Sequence, residues 1–269
     1  MYIDFKVFPA RGREKDDVVV FVHGMYHAEW CWEHFRELFS NSGYKSYTIS
    51  LRGHGDSEGS LWRASLGDYA QDVLQKVRPL DRPVIFVAHS MGALVVARVV
   101  ETFQPAAVVL LAPASPSSLR GVIGRVTCHY LKLGFQALQK GKLGEVIPRR
   151  QEVVKYLFFS PQMPDAEFQK YFRKLGGESL VASLQMLIGW AAWCPTYRPL
   201  ASTPVIILGA ENDVSVTESA VRHVAKRMGV EPEMVPDLAH DMMLDCNLKE
   251  AAQKILDGKK RPLPDCGWA

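Results

Sequence analysis

The sequence predicts an α/β fold: a mostly parallel sheet flanked by helices, interrupted once by an all-helical insertion. Three observations predict it. Short β-type runs alternate with stretches of helical spacing over the first 115 residues and again after residue 200, the pattern of parallel strands joined by crossover helices. Several of those runs, Val18 to Val22 and Ala107 to Leu111 among them, are continuously apolar, as strands buried on both faces must be. Between Pro116 and Pro199 no convincing β run occurs, while amphipathic helical pieces follow one another.

In chain order, Tyr2 to Phe8 alternates polar and apolar residues like a half-buried strand near a sheet edge, and Val18 to Val22 reads as a central strand. It runs into a loop, His23 to His27, before a helix expected from Ala28 to Ser40. Tyr44 to Ile49 is the next strand, followed by the glycine-rich loop Leu51 to Ser57 and a helix over Leu66 to Val77. The stretch Val84 to Ala93 (VIFVAHSMGA) then reads as strand, sharp turn and helix, the helix extending from Met91 to Thr102. Helical pieces are expected at Leu119 to Gln139, Glu152 to Phe159, Ala166 to Leu175 and Ser179 to Trp193, divided by Gly and Pro breakers such as Gly141, Pro161 and Gly176. The sheet resumes at Pro204 to Leu208. A helix over Thr217 to Met228, a strand over Pro232 to Val235 and a helix over Leu248 to Leu256 complete it. The domain reading is thus a core of residues 1–115 and 201–269 with a helical cap at 116–200, and a loosely held tail from Arg261. Right-handed crossovers place the loops that follow the parallel strands at one edge of the sheet, where ligands bind in open α/β sheets.

Composition narrows the function classes. A hydrophobic content of 48% and a charged content of 23% are those of an ordinary globular protein. The net charge of +3 is scattered, which leaves no footprint for nucleic acid. Five cysteines without a CxxC pair suggest free thiols in a reducing compartment. With no signal-peptide pattern and no apolar run long enough to span a bilayer, a cytoplasmic protein without an integral membrane segment is expected.

The turn at Ser90 is the centre of the chemistry. A serine on a sharp strand-to-helix turn has its hydroxyl pushed into the open, and close approach of the backbone requires small residues two before and two after it. Ala88 and Gly92 meet that demand. Taken alone, the pentapeptide fits a serine that merely N-caps a helix equally well. A nucleophilic serine needs a base, and the base needs an orienting group. Downstream, the strand Val205 to Leu208 is followed by GAEND, ending at Asp213, and the strand near Met234 by PDLAH, ending at His240. Glu211 competes with Asp213 for the acid, and Asp237 and Asp241 adjoin His240. The loop after Leu111 (APAS) offers no carboxylate.

The chain resembles the α/β-hydrolase superfamily, and within it bacterial serine esterase and lysophospholipase-like members with a helical cap. The resemblance rests on VHGM at Val22 to Met25, RGHGDS at Arg52 to Ser57, AHSMG at Ala88 to Gly92, GAEND at Gly209 to Asp213 and LAH at Leu238 to His240. It implies Ser90 as nucleophile, His240 as general base and then acid, and Asp213 as the group orienting the imidazole. It further implies an oxyanion hole made by the backbone N–H groups of Met25 and Met91. No cofactor and no metal are implied. His23 and His54 are expected to brace the site through ring hydrogen bonds, and His89 to pack behind it. His23 and His27 have the spacing of a helical metal pair but lie on a strand and loop, which argues against zinc. Tyr156, Phe158, Phe159, Phe172, Met186, Trp190 and Trp193 are expected to pack between cap and core, a few of them lining an apolar pocket.

Residue identities exclude several relatives: the serine at position 90 is neither the Asp of dehalogenases and epoxide hydrolases nor the Cys of dienelactone hydrolases. Plant hydroxynitrile lyases resemble the stretch His23 to Trp32 but carry Lys beside the catalytic histidine, where this chain has Asp241. The expectation is therefore hydrolysis of a small or medium apolar carboxylic ester through an acyl-serine. The alternatives are C–C bond hydrolysis with the same triad, and a ligand sensor of the same fold with little turnover.

Overall fold

The computed structural model describes residues 1–115, 120–124, 151–188, 196–200 and 202–258. Its centre is a seven-stranded sheet. In chain order the strands are β1 (Phe5–Phe8), β2 (Val18–Val22), β3 (Lys45–Ile49), β4 (Val84–His89), β5 (Ala107–Leu111), β6 (Val205–Ala210) and β7 (Glu233–Val235). They lie side by side as β1-β3-β2-β4-β5-β6-β7, with β1 antiparallel to β3 and every other pairing parallel.

The continuously apolar runs form the interior strands. All five residues of β2 and of β5 are buried, and alternate side chains enter opposite cores. Val18, Val20, Val22, Phe86 and Val108 pack into one core. Val19, Phe21, Ile85, Val87 and Val109 pack into the other. Helix α1 (Glu33–Asn41) follows a 3₁₀ turn at Glu29–Trp32, so the helix expected from Ala28 starts as a tighter coil. Helix α2 (Leu66–Val77) is opened by a capping box between Ser65 and Asp68. It packs against α3 (Met91–Val99).

Among the described residues between β5 and β6 the regular elements are all helical: residues 120–124, α4 (Gln151–Phe158), α5 (Asp165–Phe172) and α6 (Leu180–Ile188). The rest of the helix expected over Leu119 to Gln139 lies outside the described residues, as do Trp190, Trp193, Cys128, Cys194 and the tail after Gly258. Cys31 and Cys246 are free thiols. Helix α7 (Glu218–Met228) ends at Gly229, whose φ of 73° is the left-handed conformation a helix stop favours. Helix α8 (Leu248–Gly258) packs on α1. No helix among the described residues is long and apolar enough to cross a membrane.

Polar contacts tie α4 to α6 and their connections to the sheet. The Ser160 N–H and hydroxyl donate to the two oxygens of Asp245 at 2.9 and 2.7 Å. The Gly176 N–H donates to the Tyr26 carbonyl at 2.8 Å. Glu178, with its carboxylate fully buried, accepts from Tyr69 Oη at 2.9 Å and faces His54 Nε2 at 3.3 Å.

Candidate active site

Ser90 occupies the junction of β4 and α3 with φ 49° and ψ −117°, a conformation that L-residues adopt at a cost. The surrounding backbone enforces it. The Ser90 N–H donates to the Leu111 carbonyl at 3.0 Å, and the Ser90 carbonyl accepts from Ala93 and Ala114. A Cβ on Gly92 would sit 2.6 Å from the carbonyl oxygens of Val22 and His23. The small residue after the serine is therefore demanded by the neighbouring strand β2. On the opposite side, a Cβ on Gly24 would lie 3.0 Å from Ser90 Cβ, so the loop after β2 rests against the serine itself.

The Ser90 hydroxyl lies 2.9 Å from His240 Nε2, and His240 Nδ1 lies 2.8 Å from Asp213 Oδ2. Asp213 follows β6. Its Oδ1 accepts from the N–H groups of Ser215 and Val216 at 2.7 and 2.8 Å, which leaves Oδ2 for the imidazole. The carboxylate so placed requires Nδ1–H on His240 and leaves Nε2 as an acceptor for the serine hydroxyl. Burial alone would lower the His240 pKa, but the adjacent carboxylates of Asp213 and Asp241 outweigh it and hold the ring above the usual histidine value. Glu211, the competing acid, is exposed; its backbone N–H donates to the Val235 carbonyl.

Met91, as the first residue of α3, has a backbone N–H with no acceptor four residues back in the helix. Met25 lines the same cavity as Ser90 and His240. The remaining wall is mostly apolar: Tyr26, Val122, Leu157, Phe158, Met186 and Val216. Of the aromatic and Met residues expected to pack between cap and core, Phe158 and Met186 thus line the cavity. Phe159 and Phe172 stack within a cluster around Phe168 and Tyr171, and Tyr156 is half-exposed.

The histidines divide as chemistry requires. His23 accepts from the Leu51 N–H at 3.0 Å and donates through Nδ1 to the Gly24 carbonyl at 2.8 Å, joining the loops after β2 and β3. Burial and the nearby His54 push its pKa well down, so it remains neutral. His54 faces the buried Glu178; burial opposes its charge, yet Glu178 prevails and raises the pKa. His89 donates through Nε2 to the His240 carbonyl at 2.9 Å and packs against that ring in a tilted arrangement, 4.7 Å between centroids. The neighbours of the His23 and His27 rings are protein atoms, and no group of three metal-ligating side chains occurs among the described residues.

Sequence reasoning missed the burial and pairing of three carboxylates. Asp241 meets His27, Glu178 meets His54 and Tyr69, and Asp245 accepts from the N–H groups of Ser160, Ala239 and Cys246 and from the Ser160 hydroxyl. The available signal was the spacing of Asp241 and Asp245 on either side of the apolar Met242, Met243 and Leu244.

Comparison with known proteins agrees with this architecture. Methylesterase 7 of Arabidopsis thaliana is 32% identical over 149 residues, 53% of this chain and 56% of the relative. Methylesterase 3 of the same plant is 31% identical over 94 residues, 34% of this chain and 36% of the relative. The chain thus aligns with 56% and 36% of the lengths of these two curated relatives. A thermophilic esterase from Thermogutta terrifontis superposes with a TM-score of 0.69 at 19% identity, covering 96% of this chain and 93% of that one. The monoacylglycerol lipase of Paleococcus ferrophilus superposes with a TM-score of 0.68 at 19% identity, covering 96% and 98%. At such identities the superpositions speak to the fold. The model of the alpha/beta hydrolase family matches residues 19–254, most of the chain and every element of the site, and the chain belongs to that family.

Proposed function

We propose that the protein is a serine-dependent hydrolase of carboxylic esters with a small or medium apolar acyl group. The observation that carries this reading is the hydrogen-bonded series Ser90, His240, Asp213 ending at a strained turn that lines a cavity. Ser90 Oγ attacks the ester carbonyl carbon as its proton passes to His240 Nε2. Asp213 stabilises the imidazolium so formed, and the Met25 and Met91 N–H groups receive the developing oxyanion. The carbonyl re-forms as the alkoxide leaves, taking the proton from His240. Water, deprotonated by the same ring, then attacks the acyl-serine, and collapse of the second tetrahedral species frees the acid and restores Ser90.

An ester is favoured as substrate by the plant relatives, which are named methylesterases, and an apolar acyl group by the apolar cavity wall. Leu157, Phe158 and Met186 of that wall come from α4 and α6, which supports a reading of residues 116–200 as a helical cap over a core of 1–115 and 201–269.

The test is turnover of p-nitrophenyl esters of graded chain length, with fluorophosphonate labelling of the wild type and of Ser90→Ala. The expected result is hydrolysis that declines for the longest acyl chains, labelling at Ser90 alone, and loss of both in the variant with its fold intact. Labelling that persists in Ser90→Ala would overturn the assignment.

A further inference from the structure

His27 and Asp241 form a second buried acid–histidine pair beside the first, and the proposed triad makes no use of it. His27 Nε2 lies 3.0 Å from Asp241 Oδ2, and the two side chains are 2% and 0% exposed. His27 Nδ1 lies 2.7 Å from the Met25 carbonyl. Both ring nitrogens therefore face acceptors, so the pair holds its geometry only while it carries two protons between them. Asp241 Oδ1 is buried and meets no donor among the described residues. Replacing a buried ionisable pair with well-packed apolar side chains of the same volume is often neutral or stabilising. Stability is thus a poor reason for its presence, and its position suggests another.

We propose that His27 and Asp241 are positioning residues that fix the oxyanion side of the site relative to the general base. This rests on the reading of Ser90, His240 and Asp213 given above. At one end of the pair, the bond from His27 holds the carbonyl of Met25, whose own N–H is the proposed oxyanion donor. The next residue, Tyr26, stands at φ 67°, a strained setting that the loop keeps only under restraint. At the other end, Asp241 is the residue after His240. Its backbone is anchored by the Phe158 carbonyl and by the N–H groups of Leu244 and Asp245, so the side chain cannot follow His27 if the loops drift apart. The pair spans 214 residues of sequence and closes the gap between the loop after β2 and the loop after β7. Displacing an oxyanion donor or a base by an ångström costs on the order of 100-fold in rate.

The pair also enters the electrostatics of the base. The groups facing His240 are the Asp213 and Asp241 carboxylates, the neutral His89 ring and the Ser90 hydroxyl. Those facing His27 are Asp241, the Met25 carbonyl and, across the ring faces, Trp30, His89 and Phe158. Removing the Asp241 charge takes away one of the two carboxylates that favour protonated His240.

The experiment compares Asp241→Asn, His27→Gln and the double variant on the best p-nitrophenyl ester, with kcat, KM and the pH dependence of kcat/KM measured for each. The expected result is a fall in kcat of about 10-fold to 100-fold with KM nearly unchanged. The acid limb of Asp241→Asn should move to lower pH, and the double variant should be no worse than the poorer single one. Wild-type kcat in Asp241→Asn, or losses that multiply in the double variant, would overturn the proposal. If Asp241→Asn fails to fold, His27→Gln decides alone: wild-type kcat overturns it, and a kcat loss at constant KM supports it. Activity surviving in Ser90→Ala would instead strike the triad reading, which keeps the two failures distinct.

Discussion

Asp213 gives one oxygen to the backbone and one to His240, and this division determines what its amide would do. With Oδ1 fixed by two N–H donors, an asparagine would turn its NH₂ toward His240 Nδ1 and force that nitrogen to accept. The proton would then sit on Nε2, where the serine hydroxyl needs an acceptor. Asp213→Asn is expected to lose on the order of 10⁴ in kcat, the cost of the same error in the serine-protease template. Glu211→Gln, on an exposed side chain, should change kcat less than about 2-fold, and steady-state kinetics on both variants checks the contrast. The base itself makes a prediction in pH. A free histidine titrates at about 6.5, but Asp213 and Asp241 hold His240 above its ordinary value. In the proposed mechanism the active form is the deprotonated ring, so kcat/KM should rise with pH through a midpoint above that of a free histidine. A midpoint at or below 6.5 in a pH–rate profile would contradict this electrostatic account. The choice of Asp213 over Glu211 was open in the sequence because both lie in one loop within three residues of each other. What separates them is which side chain turns inward after β6, and that depends on the backbone bonds of Ser215 and Val216.

Helix α3 shows how closely an element can be held. The sequence expectation of a small residue at Gly92 is met, but the constraint comes from the carbonyls at the end of β2 rather than from the serine's own strand. Gly92→Ala would push the first turn of α3 away from β2. The expected cost is about 1–3 kcal/mol in stability, typical of overpacking, with a larger proportional loss of kcat because Ser90 moves with the helix. Thermal melts and turnover of the same preparation test it. Elements with a strong local signature were legible: β2, β5 and α2 occur at the expected residues. The start of α1 was not, because the buried Cys31 and Trp32 belong to a 3₁₀ turn whose side chains satisfy the same apolar spacing.

At the scale of the molecule, the link between the helical segment and the sheet is partly ionic and therefore sensitive to pH. The His54 pKa is raised, with burial opposing and Glu178 prevailing, so its folded value lies above its unfolded one. The stabilisation is fully present below the unfolded pKa and is lost as pH rises through the folded pKa. The Tm difference between wild type and His54→Gln should be largest below about pH 6 and shrink above neutrality. A difference that grows with pH would mean that the pair is not charged in the folded state. His54 and Glu178 stand 124 residues apart, and nothing local to either marks its partner, which is why their pairing could not be read from the chain. Ser90, Asp213 and His240 could be read as a candidate site because each lies in the turn or loop that follows a strand, and the sheet gathers strand ends. Strands β5 and β6 are neighbours in the sheet, yet α4, α5 and α6 are synthesised between them. Ser90 leaves the ribosome 150 residues ahead of His240, and for that interval its hydroxyl has no base within reach. A nascent or prematurely ended chain would carry an ordinary alcohol at Ser90, and the hydrogen bond to His240 could form only once β7 and the loop after it had been delivered.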